Sequence, residues 1–547
     1  MKNMLIQKTP SAYDSPLLIK NILLNPFAYH PEQEIVYKDS VRITYRLFRE
    51  RVARLASALI NLGVKQGDTV AVLDWDSHRY LECYFAIPMI GAVIHMVNVR
   101  LSTEQLIYTI ALAEDKVILV NSDFLPVLEQ IKGRINTVTH YILLSDADEK
   151  PKTSLELSGS YEGIIASAEP LETYPDFDEN TQATAFFTTG TTGMPKGVCY
   201  SHRQIVIHTL TAMCTLTSPA QNSRLHSEDV YMPITPMYHV HAWGIPYIAT
   251  MLGIKQVFPG RYLPDMLLKL IDTEKVTYSH CVPTIVNMLL TNPISKSIDL
   301  SRWKVIIGGA ALPQAVAIEA LKRGIDIYCG YGMSETCPFI TVQHLTAEEQ
   351  ALPIEKRASI LVRAGRPIGL VDLKILGPEG EVNSDDKSTG EVVIRAPWFT
   401  RCYLKDASNS EKLWEGGWMH TQDVASRDST GSIRITDRTK DVIKIGGEWV
   451  SSLEMEDVLC LHPAIAEAAI IGYPHVNWGE IPFAMVVLKE DVTIKERALI
   501  EHVKKYIGLG LLPRDAILMK IKFVTALDKT SVGKINKVEL RKKYLPV

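Results

Sequence analysis

At 547 residues and 46% hydrophobic composition, the chain exceeds what one hydrophobic core usually covers, and at least two domains are expected. Charged residues make up 22% and the formal net charge is −4, so no global field selects nucleic acid or an anionic membrane as a partner. Eight cysteines, at positions 83, 199, 214, 281, 329, 337, 402 and 460, show no CxxC or short metal-type spacing, a usage that fits a reducing cytoplasm rather than a disulfide framework.

The N-terminus meets Pro10 and Asp14 before any sustained apolar run, which is not the pattern of a signal peptide. From 43 to 64, Leu47, Val52, Leu55, Leu59 and Leu62 recur at helical spacing up to Gly63, predicting an amphipathic helix with a glycine stop. DTVAVLD follows as a short strand and 79–90 as an apolar helix, the alternation of a layered α/β fold. The most apolar stretch, 84–97, contains Pro88 and Gly91 and is well short of the roughly 20 residues a membrane span needs. Runs such as KVILV (116–120) and HYILL (140–144) lack polar alternation and suit strands covered on both faces. Residues 145–180 are polar and rich in Pro, Ser and Glu, the composition of a surface connection. A second shift comes at 436–441. Beyond it the order helix (EMEDVLCLH), strand (EAAIIGY), strand (FAMVVLK), helix (ALIEHVKKYI), strand (KIKFV) is enough for a small α+β domain. The closing RKKYLPV reads as a solvated tail.

The sharpest chemical feature is TTGTTGMPKG at 188–197. Its glycines expose backbone N–H groups, its threonines offer hydroxyls and Lys196 adds a cation, the equipment for wrapping phosphate oxygens. Gly197 follows the lysine where a Walker loop needs Ser or Thr, so that class of NTPase is disfavoured. Further on come YMPITPMYHVHAW (231–243), GGAALP (308–313), GYGMSET (330–336), WMHTQD (418–423), DRTKDVIKIGGEW (437–449) and TSVGKINK (530–537). The pair His239 and His241 has no nearby Cys or acidic residue to complete a tetrahedral metal site.

In this order, over about 350 residues, the segments resemble the motifs of the acyl-adenylate-forming superfamily, nearest to medium- and long-chain fatty acyl-CoA synthetases. The resemblance implies an α/β fold: a large multi-subdomain N-terminal region of layered sheets and helices over 1–436, and a small mobile α+β C-terminal domain over 437–547. It implies ATP and CoA as co-substrates, Mg2+ as cofactor, a carboxylic acid substrate and, as in many relatives, a homodimer. By position, Thr188, Thr189, Gly190, Thr191, Thr192 and Gly193 would hold phosphates. Gly309, Ala310, Gly330, Tyr331, Gly332, Met333 and Ser334 would surround the nucleotide, with Asp423 and Arg438 on the ribose. Thr188 and Glu335 would hold Mg2+. Lys534, with Lys196, Glu335 and His239, would carry adenylation. His239, Trp243 and Gly308 would line the acyl pocket, with Trp243 as a gate. Asp437 would be the hinge about which Lys534 withdraws and Lys444, Gly446, Gly447 and Trp449 enter for thioester formation.

Four positions depart from the family pattern: Gln422 replaces Gly, Arg401-Cys402 stands where the approach to Tyr403 is Gly-rich, Ile445 replaces Ser, and Asp528 replaces Pro. They put local loop geometry in question, and Gln422 has the bulk to crowd the ribose. The acyl segment lacks the aspartate with which peptide-synthetase adenylation domains hold an amino acid. Apolar segments 241–252 and 279–290 favour a fatty acid. A ligase for a small, sulfur-containing or aryl acid, a ligase loading a carrier protein, and a silent acyl-adenylate-binding protein are the competing expectations.

Overall fold

In the computed structural model, residues 1–5, 148, 150, 189–193, 220–223, 446–447, 491, 510, 530–534 and 546–547 lie outside the described chain, as do the side chains of 448 and 449. The Thr44 side chain accepts from the Leu47 N–H, so the helix Tyr45–Asn61 begins directly after the strand Val41–Thr44. It ends before Gly63, which takes φ +82°. The buried stripe runs through Phe48, Val52, Leu55 and Leu59, while Leu47 is turned out to solvent. This stripe packs on the fully buried helix His78–Met89. Pro88 sits in that helix's last turn, one residue before its end at Met89.

The β/α alternation builds a seven-stranded sheet with the strand Thr69–Leu73 near its centre, between Val93–Met96 and Asp115–Asn121. Every residue of Thr69–Leu73 is buried, as expected of a sheet covered on both faces. At one edge the strands Gln182–Phe187 and Gly197–Ser201 pair antiparallel as a hairpin. A nine-stranded sheet stands beside it. Its parallel part is made by Asp326–Gly332, Lys304–Ile307, Tyr278–Cys281, Val230–Pro233, Lys255–Phe258 and Glu34–Tyr37. A five-stranded antiparallel sheet includes Met419–Arg427 and Ile433–Arg438.

The C-terminal sheet is centred on the antiparallel pair Ile465–His475 and Gly479–Leu488, with Lys520–Phe523 parallel to the latter. The helices Ser452–Cys460 and Glu496–Gly508 pack on it around a separate apolar core. The whole is mixed α/β, with layered sheets and helices before a smaller C-terminal unit. Two expectations are corrected. The stretch 145–180 contains a helix, Tyr161–Ser167, anchored by the buried Tyr161, whose hydroxyl donates to Glu82 at 2.6 Å. The terminal RKK belongs to a helix, Lys537–Tyr544, held by buried Leu540 and a 2.7 Å ion pair from Arg541 to Asp441. Among the described residues no helix is long and apolar enough to cross a membrane.

Candidate active site

Parallel strands release their C-terminal ends at one edge of a sheet, where α/β proteins collect ligands. Here Lys304↔Asp326 through Ile307↔Cys329 are in register, so Gly308–Ala310 follows its strand beside the last residues, Gly330–Gly332, of the next, and Met333 and Ser334 leave from there. Val230–Pro233 delivers the segment ending at Trp243 to the same edge. Gly309, at φ +78°, and Ala310 are exposed there. Gly332 is obligatory, because an added Cβ would fall 1.8 Å from the Pro338 carbonyl oxygen. Gly308 is obligatory for another reason: a Cβ would stand 2.9 Å from both the Gly330 oxygen and Cη2 of Trp243. Trp243 itself is buried, tilted over His280 at 4.9 Å and edge-on to Phe339.

Met333 and Ser334 lead into Glu335, which is buried. The segment 398–403 wraps this turn. Trp398 Nε1 donates to Thr336 O at 2.8 Å, Thr400 N–H to Glu335 O at 3.0 Å, and the Tyr403 hydroxyl to Glu335 Oε1 at 2.7 Å. Burial raises the Glu335 pKa, while the Tyr403 hydrogen bond and the charge of Lys196 oppose it. Lys196 Nζ lies 4.7 Å from the centre of the Tyr403 ring, a cation–π distance. Thr188 and Lys196 close the base of the loop between them: Thr188 N–H donates to Lys196 O at 2.9 Å and Lys196 N–H to Thr188 Oγ1 at 3.3 Å. Tyr200, beyond the loop, donates to Ser334 O at 2.6 Å and so joins the hairpin to the Glu335 turn.

Asp423 and Arg438 are direct cross-strand partners. Arg438 Nε lies 3.3 Å from Asp423 Oδ1, and the Tyr331 hydroxyl donates to Oδ2 at 2.7 Å, which brings the motif at 330–336 and the one at 418–423 into contact. Gln422 takes φ +60°, the left-handed region where glycine is at ease. Its side chain is exposed and its N–H donates to Glu391 at 3.0 Å. Ile445 is fully buried in the C-terminal core.

Asp437, the hinge candidate, is buried. Its Oδ2 accepts from Ser452 N–H at 2.6 Å and Ser452 Oγ at 2.7 Å, at the start of the helix Ser452–Cys460. Lys537 Nζ reaches Ser452 Oγ at 2.6 Å and Glu456 at 2.7 Å. Lys444 is exposed on the strand Ile443–Ile445, its N–H donating to Glu480 at 3.0 Å. Thr189, Gly190, Thr191, Thr192, Gly193, Gly446, Gly447 and Lys534 lie outside the described residues, as does the Trp449 side chain.

His239 and His241 have separate surroundings. His239 is partly exposed; its N–H donates to Pro236 O at 2.9 Å. His241 is buried, Nε2 2.9 Å from Thr184 Oγ1 and Nδ1 3.8 Å from Cys337 Sγ, and burial lowers its pKa to about 3, so the ring is neutral. From Val240 to Trp243 four non-glycine residues have φ of 49°, 57°, 45° and 60°, followed by Gly244 at 71°. This left-handed turn is what sends Trp243 back against Gly308. Two supports escaped sequence reasoning. Tyr403 lies 68 positions from the glutamate it holds, a distance at which no local pattern speaks. Asp76 accepts from the Met237 N–H at 2.9 Å and from the Tyr262 hydroxyl, steadying the segment that leads to Trp243; burial raises its pKa to about 8.

Residues 26–404 match the family described as AMP-binding enzyme, and 454–534 the AMP-binding enzyme C-terminal domain. A 3-methylmercaptopropionyl-CoA ligase of Ruegeria lacuscaerulensis is 36% identical over 546 residues, 97% of each chain. A long-chain-fatty-acid–CoA ligase of Thermus thermophilus is 38% identical over 511 residues, 92% of this chain and 90% of that one. The crystal structure of an anthranilate CoA ligase in complex with anthranoyl-AMP superposes with a TM-score of 0.84 at 23% identity, covering 97% of this chain and 98% of the other, a likeness of fold. A buried glutamate beside a lysine-bearing loop, an aspartate–arginine pair against a tyrosine, and family matches in both parts of the chain converge: this protein belongs to the AMP-binding enzyme family.

Proposed function

We propose that the protein is an AMP-forming acyl-CoA ligase that takes a medium- or long-chain fatty acid through an acyl-adenylate. A carboxylate is a poor electrophile, and esterification to AMP with loss of pyrophosphate supplies a leaving group. The thiol of CoA then attacks the acyl carbonyl and AMP departs. Both reactants of the first step are anions, so cations aimed at the phosphates dominate its catalysis. In this reading Lys196 and the loop 188–193 receive the phosphates, Tyr331 lies against adenine, and Asp423 with Arg438 takes the ribose. Lys534 steadies the developing charge on carboxylate and phosphate. Residues 437–547 form the moving domain, turning about Asp437 to exchange Lys534 for Lys444, Gly446, Gly447 and Trp449.

Glu335 fits a hard cation. Its carboxyl is buried with Oε1 engaged by Tyr403, and burial without a neutralising charge is costly. With the Thr188 hydroxyl at the loop's base, it would hold Mg2+ together with substrate phosphates. Bound there, Mg2+ neutralises phosphate charge. The chain's own residues place the nucleotide and exclude water.

The observation that carries the reading is the meeting of Glu335, Tyr403 and Lys196, with Tyr331, four residues before Glu335, hydrogen-bonded to Asp423 beside Arg438. For the acid, the wall of Trp243, His280 and Phe339 around Gly308 is aromatic, which suits an apolar tail held at about 0.8 kcal/mol per buried CH2. A short sulfur-containing acid is the second reading. Trp243 packs directly on Gly308 and leaves a shallow wall unless it swings, and the Ruegeria relative is named for such an acid.

A panel of straight-chain, aryl and methylthio acids, assayed for AMP and pyrophosphate release with and without CoA, tests both. The fatty-acid reading expects a maximum at medium or long chains and, in Trp243→Ala, a shift toward longer ones. A maximum on the short sulfur acid, with Trp243→Ala gaining longer chains, establishes the second reading.

A further inference from the structure

Cys199 and Cys402 oppose each other across a strand pairing beside the site. Val198 and Tyr403 are antiparallel bridge partners, and the Leu404 N–H donates to Gly197 O at 2.8 Å. One step along each strand therefore sets Cys199 opposite Cys402. Thr400 corroborates this register: its hydroxyl is 2.9 Å from the Cys199 oxygen and 3.0 Å from the Cys402 oxygen. Opposed residues on an antiparallel pair point to the same face with Cβ atoms about 4.5–5.5 Å apart. Opposed residues of an antiparallel pair have Cα atoms about 4.5–5.5 Å apart, within the range of about 4.4–6.8 Å that disulfides span.

Both thiols are free. Cys402 is exposed and lines an open cleft of about 790 Å3 together with Arg401, Lys405 and Trp414, so a small oxidant reaches it from solvent. Cys199 is partly buried, its sulfur accepting from Gln182 Nε2 at 3.3 Å. Exposed and sheltered partners are the arrangement in which one sulfur meets the oxidant and the other resolves it.

We propose that Cys199 and Cys402 are a redox-responsive thiol pair, closed to a disulfide by a peroxide and opened by a thiol reductant, whose closure suppresses adenylation. The Cys402 thiolate attacks a peroxide oxygen: the S–O bond forms, the O–O bond breaks, hydroxide leaves, and sulfur is oxidised by two electrons as the peroxide is reduced. The Cys199 thiolate then attacks that sulfur; S–S forms, S–O breaks and a second hydroxide leaves. The two thiol protons complete two waters. Burial, with the neighbouring Cys402, pushes the Cys199 thiol up to about 12, so the second step quickens as pH rises above neutrality.

Disulfide-linked Cβ atoms stand about 3.5–4.5 Å apart, closer than in an open ladder pair. Closure therefore draws 400–404 toward the strand Gly197–Ser201. Tyr403 lies in that segment, holding Glu335 with its hydroxyl and facing Lys196 with its ring.

The full-length protein is treated with hydrogen peroxide, alkylated and digested, and adenylation is measured in parallel. The expected result is a linked peptide joining 199 to 402, loss of two of the eight thiols, and a fall in acyl-AMP formation of roughly ten-fold, as for loss of a hydrogen bond to a charged group. Dithiothreitol restores activity. Cys402→Ser and Cys199→Ser each work normally when reduced and lose the peroxide response. The proposal is overturned if no such peptide forms, if Cys402→Ser remains peroxide-sensitive, or if the disulfide forms without a change in turnover. The activity arm rests on the function proposed above and the peptide arm does not, so untreated enzyme that activates no acid counts against that function alone.

Discussion

Glu335 is held between two opposing influences: burial favours its neutral form, and the Tyr403 hydroxyl and Lys196 favour the carboxylate. Tyr403→Phe removes a donor without removing the ring under Lys196. The carboxyl pKa then moves further upward, so the acidic limb of the pH–rate profile shifts to higher pH, and kcat near neutrality falls roughly ten-fold, the worth of one hydrogen bond to a charged group. A profile that stays in place would show that Glu335 does not have to be ionised. At this scale a candidate was legible where its chemistry is intrinsic, as with the cation of Lys196 in its glycine- and threonine-rich loop. It was not legible where a partner decides the role. Nothing in the sequence near Tyr403 points to a glutamate 68 positions away, and Gln422 looked like an intrusion on the ribose although its side chain is exposed and only its backbone has a glycine's φ.

At the scale of elements, the turn 240–244 opposes local preference, since left-handed backbone costs non-glycine residues roughly 1–2 kcal/mol each. Strain of this kind persists where surrounding packing over-determines it, and here Trp243 against Gly308 and His241 against Thr184 do so. Two substitutions of opposite sign follow. Ala242→Gly relieves φ +45° and should stabilise by up to about 1 kcal/mol. Gly244→Ala both strains φ +71° and sets a Cβ 2.7 Å from the His208 ring, and should destabilise by about 2 kcal/mol or more. Urea unfolding checks both, and equal shifts of one sign would contradict the account. The central strands were legible because burial on both faces leaves a continuous apolar run, as at 69–73 and 117–120. The helix Tyr161–Ser167 was hidden because its buried anchors, Tyr161 and Ile165, make a short apolar stripe inside a polar window. The turn at 240–244 has no sequence signal at all, because only its last member is glycine.

Across the whole molecule, the hinge candidate is tied to the C-terminus. Asp437 holds Ser452, and Lys537, three residues beyond Lys534 in the chain, reaches both Ser452 and the buried Glu456. Lys537→Met leaves Glu456 and Asp437 without their cation, a loss of about 3–5 kcal/mol when one partner of a buried pair is removed. The C-terminal unit should then unfold first, visible as a separate early transition in calorimetry; one unshifted transition would place the energy elsewhere. The order of motifs along the chain was legible, whereas their convergence depends on strand order and was not. The most direct test of the central claim compares wild type with Lys534→Ala in two assays: acyl-AMP formation from acid and ATP, and acyl-CoA formation from preformed acyl-AMP and CoA. The account predicts that the variant loses the first and keeps the second. A variant that adenylates normally, or a wild type that makes neither product from any acid, would contradict it.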